Sequence, residues 1–237
     1  MKLFNTPVPP MARTLRVLAL LLGYPDAELR AHLPELRAAL HAERALGAAR
    51  LAELDAFITR LATRRPLEVE ADHVELFDRG RGTALHLFEH VHGDSRDRGP
   101  AMIDLCQTYE AAGLYLAPGE LPDHLPVVLQ YASTQPPAQA RAFLGEFAHI
   151  LQVIFTALLR REAAHAVLLA ALLDLAGEKA QAVPLPPEPE LDESWAEPVA
   201  FDGCSTQGQA RAGQPQPIQI VRKPAQAADT AHSGASA

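Results

Sequence analysis

Cysteine is scarce in this sequence, and its absence in pairs removes several classes of protein at once. The 237 residues contain two, Cys106 and Cys204, far apart and in unlike contexts. Neither belongs to a Cys-x-x-Cys pair, so a disulfide scaffold and a zinc ribbon both lack their framework. Long apolar runs are missing as well. The longest candidate, Ile150 to Leu159, runs into Arg160 and Arg161, well short of the roughly 18 residues that a membrane span requires. There is no basic excess either: 21 Lys+Arg stand against 29 Asp+Glu, a formal charge of -8, so the chain lacks the cations that hold nucleic acid phosphates. A basic peptide suits this balance better. The first ten residues hold one Lys and three prolines but no apolar stretch of signal-peptide length, which gives the expectation of a cytoplasmic protein. A glycine-rich phosphate loop and a Gly-x-Ser-x-Gly elbow are also absent.

What is present is helical periodicity, carried by a 48% hydrophobic composition large enough for a core. Apolar residues recur every three or four positions from Leu15 to Leu175, and no stretch shows the alternation of a strand. The spacing predicts about nine helices. Leu15, Leu18 and Leu22 mark the first, stopped by Gly23-Tyr24-Pro25, and Asp26 caps a second that carries Leu29 to Leu40 with a kink expected at Pro34. A third holds Leu51 to Leu61, a fourth follows Pro66, and a fifth holds Leu85, Phe88 and Val91 up to Gly93. A sixth runs to Gly113 with Cys106 packed in it, a seventh opens at Asp123, and an eighth runs unbroken from Pro137 to Arg160. The ninth, Ala163 to Leu175, is apolar nearly all round, as a central buried helix would be. After Gly177 the composition turns to Pro, Gln, Ala and Ser. The expected organisation is a flexible 1–10, a single all-α bundle over 11–177, and a largely disordered, Pro-rich tail over 178–237.

Three motifs stand out chemically. His86-Leu87-Phe88-Glu89-His90 fits the H-x-x-E-H pattern of inverted zinc proteases, with two imidazoles one turn apart and a carboxylate between. Zinc catalysis also needs a third protein ligand, and Glu110 is the nearest downstream candidate but stands alone. The competing reading is a helix with histidines near its negative C-terminal end. Asp94, Ser95, Arg96, Asp97 and Arg98 form a polar turn, either a solvated cap or a charged set that holds a partner or a neighbouring helix. Leu121-Pro122-Asp123-His124-Leu125-Pro126 places two prolines around a candidate Asp123 cap. Such a turn is rigid, with His124 projecting outward beside an apolar ledge of Leu121, Leu125 and Leu129.

The runs His73–Gly80, Leu85–Gly99 and Glu120–Pro126 together resemble the nitrate reductase molybdenum cofactor assembly chaperone family, also called the nitrate reductase delta subunit, and the likeness extends from about Leu15 to Gly177. That resemblance implies an all-helical chaperone rather than an enzyme, with no cofactor of its own. Its implied partner is the N-terminal segment of the apo catalytic (alpha) subunit of respiratory nitrate reductase. The chaperone would hold that subunit competent for molybdenum cofactor and iron–sulfur insertion before membrane anchoring. The implied partner-binding residues are His86, Glu89, His90, Asp94, Arg96, Asp97, Arg98, Leu121, Pro122, Asp123, His124, Leu125, Pro126 and Leu129. The alternative is a zinc metalloenzyme built on His86, Glu89 and His90. Pro100 departs from the expected helix former, and the tail segment Asp192–Pro198 around Trp195 also resembles the family without an assigned role.

Overall fold

Eleven α-helices and one 3-10 turn account for the regular structure of the computed structural model, which describes residues 8–79, 81–93 and 95–185. The helices are α1 (Ala12–Leu22), α2 (Ala27–Ala31), α3 (Leu33–Glu43), α4 (Ala48–Thr63), α5 (Pro66–Phe77), α6 (Glu89–His92), α7 (Arg98–Ala111), α8 (Leu125–Thr134), α9 (Pro137–Glu146), α10 (Ala148–Arg160) and α11 (Ala166–Ala176). Among the described residues there is no strand, only one isolated antiparallel bridge between His86 and His124. The fold is therefore all-α. The chain divides into two units, Met1–Glu188 and Pro189–Ala237, and the second, with Trp195, lies outside the described residues.

Two of the nine expected helices are each broken in two. The second ends at His32, and Pro34 opens α3 in its first turn, where a missing N–H costs nothing. The expected eighth breaks at Phe147 into α9 and α10, bent by 66°. Apolar spacing continues through that break. The bend lets Ala140 and Leu144 of α9 and Ile150, Leu151 and Ile154 of α10 all bury their side chains, and both helices pack on α11. No single helix among the described residues is long and apolar enough to cross a membrane.

Several local signals act as expected. Asp26 Oδ1 accepts from the Leu29 N–H at 2.8 Å, capping α2. Gly177 closes α11 with φ of 89°, a conformation that favours glycine. The helix itself is central: Leu168 through Leu173 are all buried, and α1, α4, α9 and α10 surround it. The expected fifth helix is the main exception, because α6 has only four residues and Leu85 to Phe88 are not helical.

The bundle does not stop at Gly177. Gln152 Nε2 donates to the Lys179 carbonyl (2.6 Å), Gln152 Oε1 accepts from Gln181 N–H (3.2 Å), and Thr156 Oγ1 accepts from Val183 N–H (3.0 Å). A chain ending at Gly177 is expected to stay helical but to be less stable than one ending at Leu185 by about 1.5–4.5 kcal/mol, since each of these three bonds contributes roughly 0.5–1.5. Urea unfolding of the two chains followed by circular dichroism measures the difference.

Candidate functional site

Residues 85–89 and Arg98 meet residues 123–125 in space. Leu87 N–H donates to the Asp123 carbonyl (3.0 Å) and Leu125 N–H to the Leu85 carbonyl (2.8 Å), so the two segments pair as a minimal antiparallel ribbon. This pairing explains why Leu85 to Phe88 leave the helix: their backbone groups are satisfied by another segment. Asp123 is the hub. With 0% of its surface exposed, its carboxylate accepts from Phe88 N–H (3.1 Å) and lies 3.4 Å from His86 Nδ1 and 3.6 Å from the Arg98 guanidinium, which also reaches Glu89 at 3.5 Å. The expected role of Asp123 as a cap is thus overturned. The N-cap of α8 is His124, with no side-chain cap bond, and Asp123 instead ties α6 and α7 to the start of α8.

Charge states follow from this packing. Burial raises the Asp123 carboxyl, but the His86 hydrogen bond, the Phe88 N–H and the Arg98 charge together bring it below its ordinary value. The same hydrogen bond raises His86 despite burial. His124 does not project freely; its ring stacks on His86 at 5.0 Å, and burial followed by the charge of His86 lowers its pKa. Burial also lowers His73, and it takes His165 to about 4.

The other expected site residues separate into groups. Glu89 and Arg98 belong to the Asp123 network, whereas Arg96 and Asp97 are exposed and Asp94 lies outside the described residues. Ser95 Oγ accepts from Asp97 N–H at 3.2 Å, the solvated-turn reading of that motif. The apolar ledge is corrected: Leu125 and Leu129 are core residues at 1% and 0% exposure, Pro122 and Pro126 are buried, and only Leu121 is exposed. The zinc arrangement is not formed. His90 Nε2 turns to the Ala84 carbonyl (2.9 Å) while His86 faces Asp123, and among the described residues no group of three or more His, Cys, Asp or Glu side chains could hold a metal.

Beside this hub lies a groove of about 740 Å³ that the motifs do not announce. One wall is α1, through Arg16, Ala19 and Leu20; another is the stripe Val127, Gln130, Tyr131 and Thr134 of α8; the third is the connection from Leu114 to Glu120. Leu20 and Tyr115 stand 51% and 80% exposed there, a large apolar display for side chains of this kind. His124 and Pro126 border the groove, and His124 also lines a second cavity of about 570 Å³ with His86, Tyr24 and Phe77. The acidic balance of the sequence is not concentrated here, since among the described lining residues Glu120 is the one carboxylate. Spacing alone did not single out this groove: Val17 and Leu21 fall off the Leu15–Leu18–Leu22 stripe as Leu20 does, yet they are buried and only Leu20 of the three is exposed.

Comparison with known proteins agrees with this architecture. The nitrate reductase delta subunit family matches residues 24–171. The nitrate reductase molybdenum cofactor assembly chaperone NarJ of Escherichia coli (strain K12) is 46% identical over 162 residues, 68% of this chain and 69% of that one. A proposed chaperone of the same name from Bacillus subtilis (strain 168) is 30% identical over 161 residues, 68% of this chain and 86% of that one. A crystal structure of a proposed redox enzyme maturation protein from Archaeoglobus fulgidus shares the fold at a TM-score of 0.50 and 18% identity, covering 75% of this chain and 99% of that one. These relatives are named as assembly or maturation proteins and not as catalysts. With a family match that spans well over half of its length, the chain belongs to the nitrate reductase molybdenum cofactor assembly chaperones, the delta subunit family.

Proposed function

We propose that this chaperone binds the N-terminal segment of the catalytic subunit of a respiratory nitrate reductase, as an amphipathic helix laid in the groove between α1, α8 and the Leu114–Glu120 connection. The apo subunit is thereby kept open to molybdenum cofactor and iron–sulfur insertion before it docks on its membrane anchor. The observation that carries the reading is the groove itself. A bundle that buries its core this completely still leaves Leu20 and Tyr115 exposed and Val127 and Tyr131 only partly buried, around a concavity of about 740 Å³. The Asp123 network supports this role indirectly. It fixes the start of α8, and a fixed wall lowers the ordering cost of capturing a flexible segment. His124 and Pro126 are the residues of the original motif that touch the groove, while Asp123, Glu89 and Arg98 act by holding them in place.

The test is maturation in cells. Cells without this chain are expected to accumulate catalytic subunit poor in molybdenum. Leu20→Asp should fail to restore nitrate reductase activity, because a carboxylate on the groove wall would be desolvated on docking. Leu67→Asp, at a side chain 78% exposed and outside the groove, should restore it fully. Full restoration by Leu20→Asp, with normal protein levels for both variants, would move the partner surface elsewhere.

A further inference from the structure

The groove carries two charged side chains besides His124, and they sit at opposite ends. Arg16 lies at the C-terminal end of α8, where its Nε donates to Ser133 Oγ at 3.1 Å, and among the described residues no carboxylate pairs with it. Glu120 lies at the N-terminal end, 3.9 Å from His124 Nδ1, and its side chain is half exposed. His124 and Ser133 are nine residues apart, so the two ends are separated by roughly 13 Å at 1.5 Å per residue. Between them the lining is apolar or uncharged: Ala19, Leu20, Leu116, Val127, Gln130 and Tyr131.

Building on the helix-in-groove reading above, we infer that Arg16 and Glu120 are specificity-determining residues: the groove takes a helix with a cationic group at its Glu120 end and an anionic group about nine residues away at its Arg16 end. The helix dipole reinforces one direction. A bound helix whose first turn lies by Glu120 and whose last turn lies by Arg16 puts its positive end on the carboxylate and its negative end on the guanidinium. The partner segment is therefore polar along its length as well as amphipathic around it. Segments of equal hydrophobicity but uniform charge bind more weakly because of like-charge contact at one end.

The probe is a set of acetylated, amidated 14-residue Ala/Leu helices with charges in the first turn and nine residues later: Lys with Glu, Lys with Lys, and Glu with Glu. Titration calorimetry against the full chain should show the Lys/Glu helix binding best, with each mismatched end weakening affinity roughly two- to five-fold, the range of exposed ion pairs. Arg16→Glu should make Lys/Lys the preferred helix, and Glu120→Lys should make Glu/Glu the preferred one, with all differences shrinking at high salt. Both positions are exposed, so thermal melts should show folded variants. Equal binding of the three helices to the unsubstituted chain, or failure of the two reversals to switch preference, would overturn the inference. If the catalytic subunit's own N-terminal segment still bound under those results, the chaperone reading would stand and the polarity would fall. If the synthetic helices obeyed the charge rule while that segment did not bind, the polarity would stand and the choice of partner would fall.

Discussion

Asp123→Ala is expected to destabilise the fold by about 2–4 kcal/mol, since it removes a buried carboxylate with charge-assisted contacts, while the His86 and Arg98 left behind keep partial access to water. A lost helix cap would cost only about 1 kcal/mol. The difference arises because Asp123 serves three groups at once: the Phe88 N–H, the His86 imidazole and the Arg98 guanidinium. Removing the carboxylate leaves the Phe88 amide without its acceptor and Arg98 with only Glu89. Asp123→Asn keeps an acceptor for Phe88 and should fall between the two. Denaturant midpoints at constant slope measure both, and a loss near 1 kcal/mol for Asp123→Ala would return this residue to a capping role. The same variant should impair partner binding beyond its effect on stability, because the α8 wall of the groove starts at His124.

Acid lability is the second large effect. His165 is 7% exposed, packed edge-on against Phe57 and Phe77, and burial holds it neutral with a pKa of about 4 against 6.5 for the free side chain. Between these values the unfolded chain binds the proton and the folded chain does not, so stability falls as pH drops from about 6.5 to 4. At 1.36 kcal/mol per pKa unit this one residue accounts for roughly 3 kcal/mol. His73 and His124, lowered by the same cause, act in the same direction. His86 has the opposite sign. Its raised pKa means that its contribution is complete below 6.5 and is lost only as pH rises through its folded value. Asp123, lowered from 3.8, loses its contribution only as pH falls below that value, so neither group opposes the fall between 6.5 and 4. Thermal melts from pH 4 to pH 8 should show a steep acid limb that His165→Leu flattens. An unchanged limb in that variant would show that His165 is protonated in the folded chain.

Much of the fold was legible because helix signals are local. The Asp26 cap, the Gly177 stop and the all-round apolar α11 each depend on residues within a turn or two of one another. The break at Phe147 was not legible, since apolar spacing runs through it and only packing on α11 requires the bend. The site divides in the same way. Pattern alone brought His86 to Arg98 and Leu121 to Pro126 to attention, but the pairing of Leu85 and Leu87 with Leu125 and Asp123 is a contact across 36 to 40 positions, which no window of sequence displays. Leu129 illustrates the cost: it continues the motif in sequence yet points into the core, while Tyr131, two residues on, faces the groove.

We propose that the α1–α8 groove captures the N-terminal segment of the catalytic subunit. Titration calorimetry with a synthetic peptide copying that segment, against the full chain and its Leu20→Asp variant, tests it most directly. One-to-one binding to the unsubstituted chain, accompanied by a negative heat-capacity change from buried apolar surface and abolished in a folded Leu20→Asp chain, is the predicted result. No binding to the unsubstituted chain, or equal affinity for both, would contradict it.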